Sequence, residues 1–420
     1  MSVQVIPKEQ RTLGGVDFFF LWMGAAIAIS EVWAGGMLAP LGFLWGGAAI
    51  LIGHLIGNLP LALGGVLGSD WGIPSMVSTR IALGKRGSYL ASFLNIVQLF
   101  GWTAVMVIIC ARSSDLIVKM LFGYSNPRLW MVVAGVVSTF WALIESKWWK
   151  WLQRIAVGGL AVLSFLMTMV ALRGTSWEQL LRFSSQRTLS FGVGLDLVIA
   201  MPISWLPLVA DYSRFAKSTK GAFWGTFWGY FVASSWMYFV GLLSALLTEN
   251  ADPLPGMIAL GLGIPALLIV LFSTFTTTFL DIYSAGVSFL NLFPRFRERW
   301  VTVVFGLAGT ALALVFPMER YESFLLFIGA IFVPLFGVVI FDYFWKRDRR
   351  IEVEAVLAGK KELDGWAIFS WGVGIGVYLL FLRFLPLVGA SLPSFFAAGG
   401  IYCLRKGERE WTNASSSSGV

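Results

Sequence analysis

Long apolar runs alternate with short polar stretches along nearly the whole chain of 420 residues. Runs of about 17–25 apolar residues predict helices that span a membrane. Twelve such runs are present. We expect the first six spans at about Phe18–Leu41, Phe43–Leu67, Tyr89–Ala111, Leu129–Ile144, Trp151–Leu172 and Phe191–Tyr212. We expect the other six at about Ala222–Leu247, Leu262–Leu292, Val301–Phe316, Glu322–Trp345, Trp366–Arg383 and Leu385–Leu404.

Composition and charge support this pattern. Hydrophobic residues make up 57% of the chain and charged residues only 13%, against about 25% charged in soluble proteins. The fold class is therefore an all-α polytopic membrane protein. Most of the 31 Lys and Arg fall in every second loop when the N-terminus is placed inside, and cytoplasmic loops are the basic ones. This predicts a multi-pass protein of the inner (plasma) membrane with both termini cytoplasmic. The net charge of +8 then needs no nucleic-acid partner.

The spacing of the spans predicts an internal repeat. Spans one to five, within residues 18–173, begin at nearly the same intervals as spans six to ten, within residues 191–345. Because five is an odd number, the second copy is inverted in the membrane, as in LeuT-type transporters. The other segments are a cytoplasmic N-terminal segment at 1–17, a cytoplasmic loop at 346–365, two extra helices at 366–404 and a disordered cytoplasmic tail at 405–420.

Span six holds two prolines, Pro202 and Pro207, near its middle. Proline removes a backbone donor and costs about 3 kcal/mol inside a helix, so we expect the helix to be broken there. The corresponding part of span one is rich in small residues and ends in Gly35 and Gly36. Broken helices in equivalent spans indicate a binding site at mid-membrane depth. The alternative is a kinked helix that serves only packing.

Polar side chains inside the spans are the candidates for that site. In span eight, Ser273, Thr276 and Thr277 have the spacing i, i+3, i+4, so their hydroxyls share one helix face. Hydroxyls opposite a broken helix suit a small hard cation, although such side chains often only bond the i−4 carbonyl. Two acids, Glu31 and Asp281, are suited to accept a hydrogen bond from a substrate amine or to carry a proton. Structural pairing is their alternative role.

Aromatic and amide side chains suggest a flat ligand. Gln98 and Trp102 are one turn apart in span three, and Trp205 lies in the span-six break beside Ser204. Two indoles are able to hold a ring while an amide reads its polar edge. His54, the only histidine, is interpreted as a packing residue rather than a proton relay. No His-Glu-x-x-His or Walker sequence is present, which disfavours an enzyme or an ATP-driven pump. A channel is the alternative class.

Four motifs resemble the nucleobase–cation symport family. They are Trp33-Ala34-Gly35-Gly36, Gly101-Trp102, Ala210-Asp211-Tyr212-Ser213-Arg214-Phe215 and Asp342-Tyr343. The resemblance covers roughly residues 10–405, and the run from Ala210 to Phe215 is its most specific element. It implies twelve spans in a LeuT-type fold and import of nucleobases, hydantoins or related heterocycles with Na⁺ or H⁺.

By position, the resemblance also implies site residues. Na⁺ is expected on the carbonyls of Gly24 and Ile27 and on the three hydroxyls of span eight, and the substrate ring on Trp102 and Trp205. Other expected substrate contacts are Gln98, Ser204, Thr278, Asp281 and Glu31.

Several positions differ from cytosine-transporting members of the family, among them Thr278 and Pro202. A branch resembling hydroxymethylpyrimidine permeases therefore fits better. The expected function is Na⁺-coupled import of this thiamine precursor without a cofactor. The alternative is H⁺-coupled transport of cytosine, another nucleobase or a hydantoin.

Overall fold

The structure is a computed structural model that describes residues 5–143, 149–173, 175–183, 188–259, 261, 263–293 and 295–405. Within these residues the regular secondary structure is helical, apart from one isolated bridge between Leu13 and Ala216. The first nine helices are α1 (Gly15–Ala26), α2 (Ile29–Gly36), α3 (Gly42–Trp71), α4 (Ser75–Ser78), α5 (Arg80–Phe122), α6 (Pro127–Leu143), α7 (Trp149–Arg173), α8 (Trp177–Arg182) and α9 (Phe191–Trp205). The others are α10 (Val209–Ser213), α11 (Thr219–Thr248), α12 (Pro253–Ala259), α13 (Gly263–Leu292), α14 (Glu298–Ala313), α15 (Tyr321–Phe341), α16 (Val353–Ala358), α17 (Gly365–Phe384) and α18 (Ser391–Leu404).

The predicted break in span one is present. Helix α1 ends at Ala26, and α2 begins at Ile29 after Ala28, whose backbone is extended (φ −139°, ψ 148°). In a continuous helix, the Ala28 and Glu31 N–H groups would donate to the Gly24 and Ile27 carbonyls. Here they donate to the Ala26 and Ala28 carbonyls instead, at 2.9 and 3.1 Å. At the break, the Gly24 and Ile27 carbonyls therefore do not receive the N–H groups that would bond to them in a continuous helix.

The break in span six is displaced from the prediction. Pro202 lies inside α9, and the helix continues to Trp205; the interruption spans 206–208 and contains Pro207. Pro202 packs against Gly57 of α3, where an added Cβ would come within 2.6 Å of the proline Cγ. A neighbouring helix with a small residue thus accommodates the proline, as happens in membrane helices. The prediction that Pro202 breaks the helix is wrong.

Helix pairing follows a symmetrical pattern. Helices α1 and α2 pack along α11, while α9 and α10 pack along α3. Helix α5 packs along α13, and α3 packs along α11. If span one is exchanged with span six, span two with span seven, and span three with span eight, the same helix pairs result. The pairing is the one that the predicted internal repeat requires, and the repeat itself stays a prediction.

The predicted bounds differ most from the structure in the third span and in the last. Helix α5 is longer than the predicted Tyr89–Ala111 and contains a non-helical Gly84 (φ 77°). Directly after Gly84, the Lys85 N–H donates to the Lys361 carbonyl, in the loop before α17, at 2.8 Å. The last helix begins at Ser391 rather than Leu385. Among the residues that the structure describes, five helical stretches are long and apolar enough to cross a membrane: Ile29–Trp71, Arg80–Phe122, Thr219–Thr248, Met318–Lys346 and Gly365–Phe384. The count of twelve spans stays a prediction.

Candidate binding site

A cavity lies between the two breaks. The empty space among its lining atoms is about 390 Å³, part of which is open to solvent. The lining residues come from both broken spans and from α5 and α13: Ala25, Ala28, Ser30, Glu31, Leu99, Trp102, Met106, Met201, Ser204, Trp205, Leu208 and Asp281. Five of the seven predicted substrate contacts are in this set. Most of the remaining wall is apolar, as is usual for a site that binds a small molecule.

Two tryptophans contribute aromatic surface to the cavity. Trp102 is 6% exposed and meets Tyr321 and Phe324 edge-to-face, with ring centroids 6.1 and 5.4 Å away. Trp205, the last residue of α9, meets Trp22 edge-to-face at 5.9 Å. The neighbouring rings hold both indoles by their edges, in the geometry that aromatic pairs prefer. A flat ligand would find two supported aromatic walls here.

Gln98 does not line the cavity, although its side chain reaches the span-six break. Its Nε2 donates to the Ser204 carbonyl at 2.9 Å and to Asn95 Oδ1 at 2.8 Å. Asn95 in turn donates to Ser288 on α13 at 2.8 Å. Gln98 Oε1 is buried without a hydrogen-bond partner among the described residues. The amide thus supports a carbonyl at the end of α9 and keeps one acceptor unused.

Asp281 carries a second unused acceptor. The residue is 5% exposed, it lines the cavity, and its Oδ2 has no hydrogen-bond partner within the described part of the chain. A buried carboxylate is costly unless a cation or donor neutralises it. Thr278, one turn earlier, donates to the Thr274 carbonyl at 2.7 Å and is not a lining residue. Of these two candidates, only Asp281 is free to meet a ligand.

Glu31 lines the same cavity, but its oxygens already have partners. Oε1 accepts a hydrogen bond from Tyr230 at 2.6 Å, and Oε2 lies 2.8 Å from the Ser234 hydroxyl. Both partners lie on α11. Sequence reasoning missed Tyr230 and Ser234, because neither belongs to a recognisable motif and their positions depend on how α11 packs against α2.

The predicted cation site is described only in part. The diverted donors at Ala28 and Glu31 leave the Gly24 and Ile27 carbonyls at the break, as the cation hypothesis requires. The side chains of Ser273, Thr276 and Thr277 lie outside the described part of the structure, although α13 itself is continuous past them. Their role as ligands stays a prediction.

Two polar clusters lie at the opposite ends of the helices. At the end predicted to be cytoplasmic, Asp70 accepts from Tyr343 at 2.6 Å, from Thr219 at 2.7 Å and from Arg349 at 2.8 Å. The hydrogen bond between Arg349 and Asp70 raises the pKa of the Arg349 guanidinium. At the other end, Arg112 pairs with Asp252 at 2.7 Å.

The most specific sequence motif lies near the first of these clusters. Asp211 accepts from the Ser75 N–H at 3.0 Å, while Ser75 Oγ accepts from the Ala210 N–H at 2.8 Å. These motif residues therefore tie α10 to α4. They do not line the cavity.

A cavity between two interrupted helices, with ion-paired clusters at either end, is the architecture of a polytopic membrane transporter. The family model described as "Permease for cytosine/purines, uracil, thiamine, allantoin" matches residues 5–385. The chain belongs to this family, the nucleobase–cation symport family. Neither family nor fold is that of an enzyme.

Individual relatives agree with this membership. Cytosine permease of Escherichia coli strain K12 is 27% identical over 350 residues, which are 82% of this chain and 81% of the relative. Hydantoin permease of Microbacterium maritypicum is 23% identical and covers 89% of this chain and 81% of its own length. The structure of Mhp1, a nucleobase-cation-symport-1 family transporter, in a closed conformation with bromovinylhydantoin bound, superposes with a TM-score of 0.83 at 21% identity, covering 96% of this chain and 93% of Mhp1. The fold is therefore Mhp1-like.

Proposed function

We propose that this protein is a secondary symporter that imports a pyrimidine-type heterocycle with Na⁺ by alternating access. The observation that carries the proposal is the Asp281 carboxylate, whose Oδ2 has no hydrogen-bond partner among the described residues, in a cavity that Trp102 and Trp205 also line. The inner and outer clusters, at Asp70 and Arg112, would act as gates that open in turn.

The chemistry of the cavity favours a ring with an exocyclic amine. The amine would donate to Asp281, the ring would stack on the tryptophans, and Gln98 Oε1 would become available after a small movement of α9. Hydroxymethylpyrimidine has such an amine and more bulk than cytosine, so it is our choice of substrate. The E. coli relative named cytosine permease supports an aminopyrimidine class.

Na⁺ is the proposed coupling ion. Its ligands would be the Gly24 and Ile27 carbonyls together with the hydroxyls of Ser273, Thr276 and Thr277. Carbonyl and hydroxyl oxygens are suited to a hard cation, and carbonyls at a helix interruption bind the ion in other transporters. Such a site would join the span-one break to α13, so ion binding would favour the arrangement that also forms the substrate cavity.

H⁺ coupling is the second candidate, with cytosine, another nucleobase or a hydantoin as substrate. It is favoured by the buried Glu31, which touches both the cavity and a histidine-containing chain on α11 and α3. The hydantoin alternative is supported by the relative named hydantoin permease.

The substrate proposal is tested by thermal unfolding of the purified protein with a panel of pyrimidines, purines and hydantoins, each with Na⁺ and with choline. A ligand that binds the folded state raises its midpoint by mass action. We expect the largest rise with hydroxymethylpyrimidine, and a larger rise in Na⁺ than in choline. If a purine or a hydantoin raises the midpoint and no pyrimidine does, the pyrimidine proposal is wrong. Flux at rates far above those of a carrier would favour a channel instead.

A further inference from the structure

A chain of hydrogen bonds leads from the cavity to the only histidine of the protein. Glu31, 2% exposed, contacts the Ser234 hydroxyl through Oε2 at 2.8 Å. The same hydroxyl lies 2.5 Å from Nε2 of His54 on α3. His54 Nδ1 lies 2.8 Å from the Ile50 carbonyl. Three side chains from three helices thus share one buried line of contacts, with Ser234 in the centre.

The number of hydrogens in this line determines its charge state. A carbonyl only accepts, so His54 Nδ1 must carry a hydrogen that it donates to Ile50. In neutral histidine, Nε2 then has no hydrogen and needs a donor. An ionised Glu31 also needs a donor at Oε2. Ser234 has a single hydroxyl hydrogen and can serve only one of them, so the fully deprotonated line lacks one hydrogen.

One added proton completes the line in either of two ways. If the proton is on Glu31, the acid donates to Ser234 and Ser234 donates to His54. If it is on His54 Nε2, the imidazolium donates to Ser234 and Ser234 donates to the Glu31 carboxylate. The two forms contain the same number of protons and differ only by their positions along the line. Either one satisfies every buried contact, which an interior strongly favours.

The described surroundings of Glu31 supply no cation that pairs with it. Among the described residues, no Lys or Arg forms an ion pair with Glu31. The tyrosines that face it are Tyr230 and Tyr238 from α11 and Tyr321 from α15. Tyr230 donates to Glu31, Tyr238 donates to the Leu197 carbonyl and Tyr321 donates to the Ser30 carbonyl. Asp281 on α13 lines the same cavity as Glu31.

Acids on the other helices packed against α2 and α3 are bound elsewhere. Asp196 on α9 accepts from the Ala390 and Ser391 N–H groups at 2.6 and 2.8 Å. Asp211 on α10 accepts from the Ser75 N–H. Asp252, beside α12, pairs with Arg112. The hydrogen-bonded line itself therefore consists of Glu31, Ser234 and His54, and Asp281 is a further buried carboxyl group at the same cavity.

The line also reaches both helix breaks. Glu31 is in the first turn of α2, directly after the span-one break. Tyr230, which donates to Glu31, meets Trp22 edge-to-face at 6.2 Å, and Trp22 meets Trp205 at the span-six break at 5.9 Å. A change of charge on Glu31 would alter the hydrogen bond to Tyr230 and, through the packed rings, the contacts of Trp205, so the protonation of the line is physically connected to the shape of the cavity.

We propose that Glu31, Ser234 and His54 form a proton-binding site, separate from the proposed Na⁺ site, whose single proton holds the two helix breaks in the arrangement described above. The site itself requires no substrate. Its effect on uptake rests on the proposed transport function, and the two parts are tested separately.

The first test uses the fact that the chain has one histidine. Full-length protein carrying ¹⁵N-imidazole histidine and a histidine-free affinity tag is placed in lipid nanodiscs without substrate. The ¹⁵N spectrum, which then reports His54 alone, is followed from about pH 5 to about pH 9. We expect a single titration step of the Nε2 signal. Glu31→Gln keeps hydrogen bonds but cannot ionise, so it should abolish the step. Ser234→Ala should move the midpoint by about one pH unit or more.

Ser235→Ala is the matched control, because Ser235 is the neighbouring buried serine and its hydroxyl has no partner among the described residues. It should leave the step in place. A His54 signal that does not change across the range, or a step that Glu31→Gln leaves unaltered, overturns the proposal and makes His54 a packing residue.

The second test measures uptake of labelled hydroxymethylpyrimidine and cytosine into proteoliposomes at a fixed Na⁺ gradient and varied pH. Wild-type and Ser235→Ala proteins should show the same pH dependence with the NMR midpoint, and Glu31→Gln should show none. A titration step without uptake of either compound leaves the proton site standing and rejects the transport proposal. Uptake whose pH dependence survives Glu31→Gln rejects the link between the proton and the cavity.

Discussion

Trp102 is the residue whose proposed role is tested most simply. Its ring lines the cavity and is held edge-to-face by Tyr321 and Phe324. Trp102→Ala should weaken substrate binding roughly 5- to 150-fold, because base–aromatic stacking is worth about 1–3 kcal/mol. The measurement is the ligand concentration that gives a half-maximal rise of the unfolding midpoint. Trp228→Ala removes a tryptophan that is 43% exposed and should leave this concentration unchanged. Equal losses in both variants would remove Trp102 from the site.

Gln98, which the sequence predicts as a substrate contact, also has a structural role. One turn before Trp102, it was expected to read the polar edge of the ring. In the structure its Nε2 is bound to the Ser204 carbonyl and to Asn95, so it first of all stabilises the end of α9. Its buried Oε1 remains an acceptor that a ligand could use.

At the scale of the helix, the proposed Na⁺ site is tested on α13, which contains Thr277. Thr277→Ala should raise the Na⁺ concentration for half-maximal uptake about tenfold, if one oxygen ligand contributes about 1.4 kcal/mol. Thr274→Ala is the matched control, since the Thr274 hydroxyl is bonded to the Val270 carbonyl at 2.7 Å. We expect Thr274→Ala to keep the wild-type Na⁺ dependence. The measurement is the initial rate of uptake against Na⁺ concentration, and similar shifts in both variants would contradict a ligand role for Thr277.

Local patterns predicted the elements well and their long-range partners poorly. The small residues of span one predicted its break, and the residues singled out at Glu31, Trp102 and Asp281 meet at one cavity. The Pro202 break was misplaced because its accommodation depends on Gly57, on another helix. The partners Tyr230 of Glu31 and Ser234 of His54 lie 199 and 180 residues away in sequence. Such pairings follow from tertiary packing, which periodicity does not contain.

Over the whole molecule, the polar clusters at the two ends are the proposed gates. Asp70 joins α3 to α11 through Thr219, and joins both to the segment after α15 through Tyr343 and Arg349. Movement of the two repeats against each other would have to break these contacts at one end and keep those of Arg112 and Asp252 at the other. In alternating access, the contacts at the two ends break in turn, so that the cavity opens to one side of the membrane at a time.

Loss of Arg349 should favour opening at the end that is predicted to be cytoplasmic. A cysteine at Ser204, in protein with Cys110 and Cys403 replaced by serine, reports on access to the cavity. Arg349→Ala should speed its alkylation from that side about fivefold, equivalent to about 1 kcal/mol. Arg86→Ala, which removes an exposed ion pair with Glu362, should not. Unchanged alkylation in the Arg349 variant would mean that this cluster is not a gate.

Ion-driven accumulation is the central claim, and energetics allow it. One positive charge that moves inward across 100 mV contributes about 2.3 kcal/mol, and a tenfold ion gradient adds about 1.4 kcal/mol. Together they support roughly 500-fold accumulation of a neutral solute. The gradient need not be of Na⁺ for this estimate, so only a direct measurement distinguishes the two ions.

That measurement is uptake of labelled hydroxymethylpyrimidine into proteoliposomes at fixed pH, with an inward Na⁺ gradient or with choline in its place. We predict concentrative uptake with Na⁺ and only equilibration with choline. Uptake that persists in choline and follows an imposed pH gradient would contradict Na⁺ coupling, and would make the line of Glu31, Ser234 and His54 the site of the coupling ion.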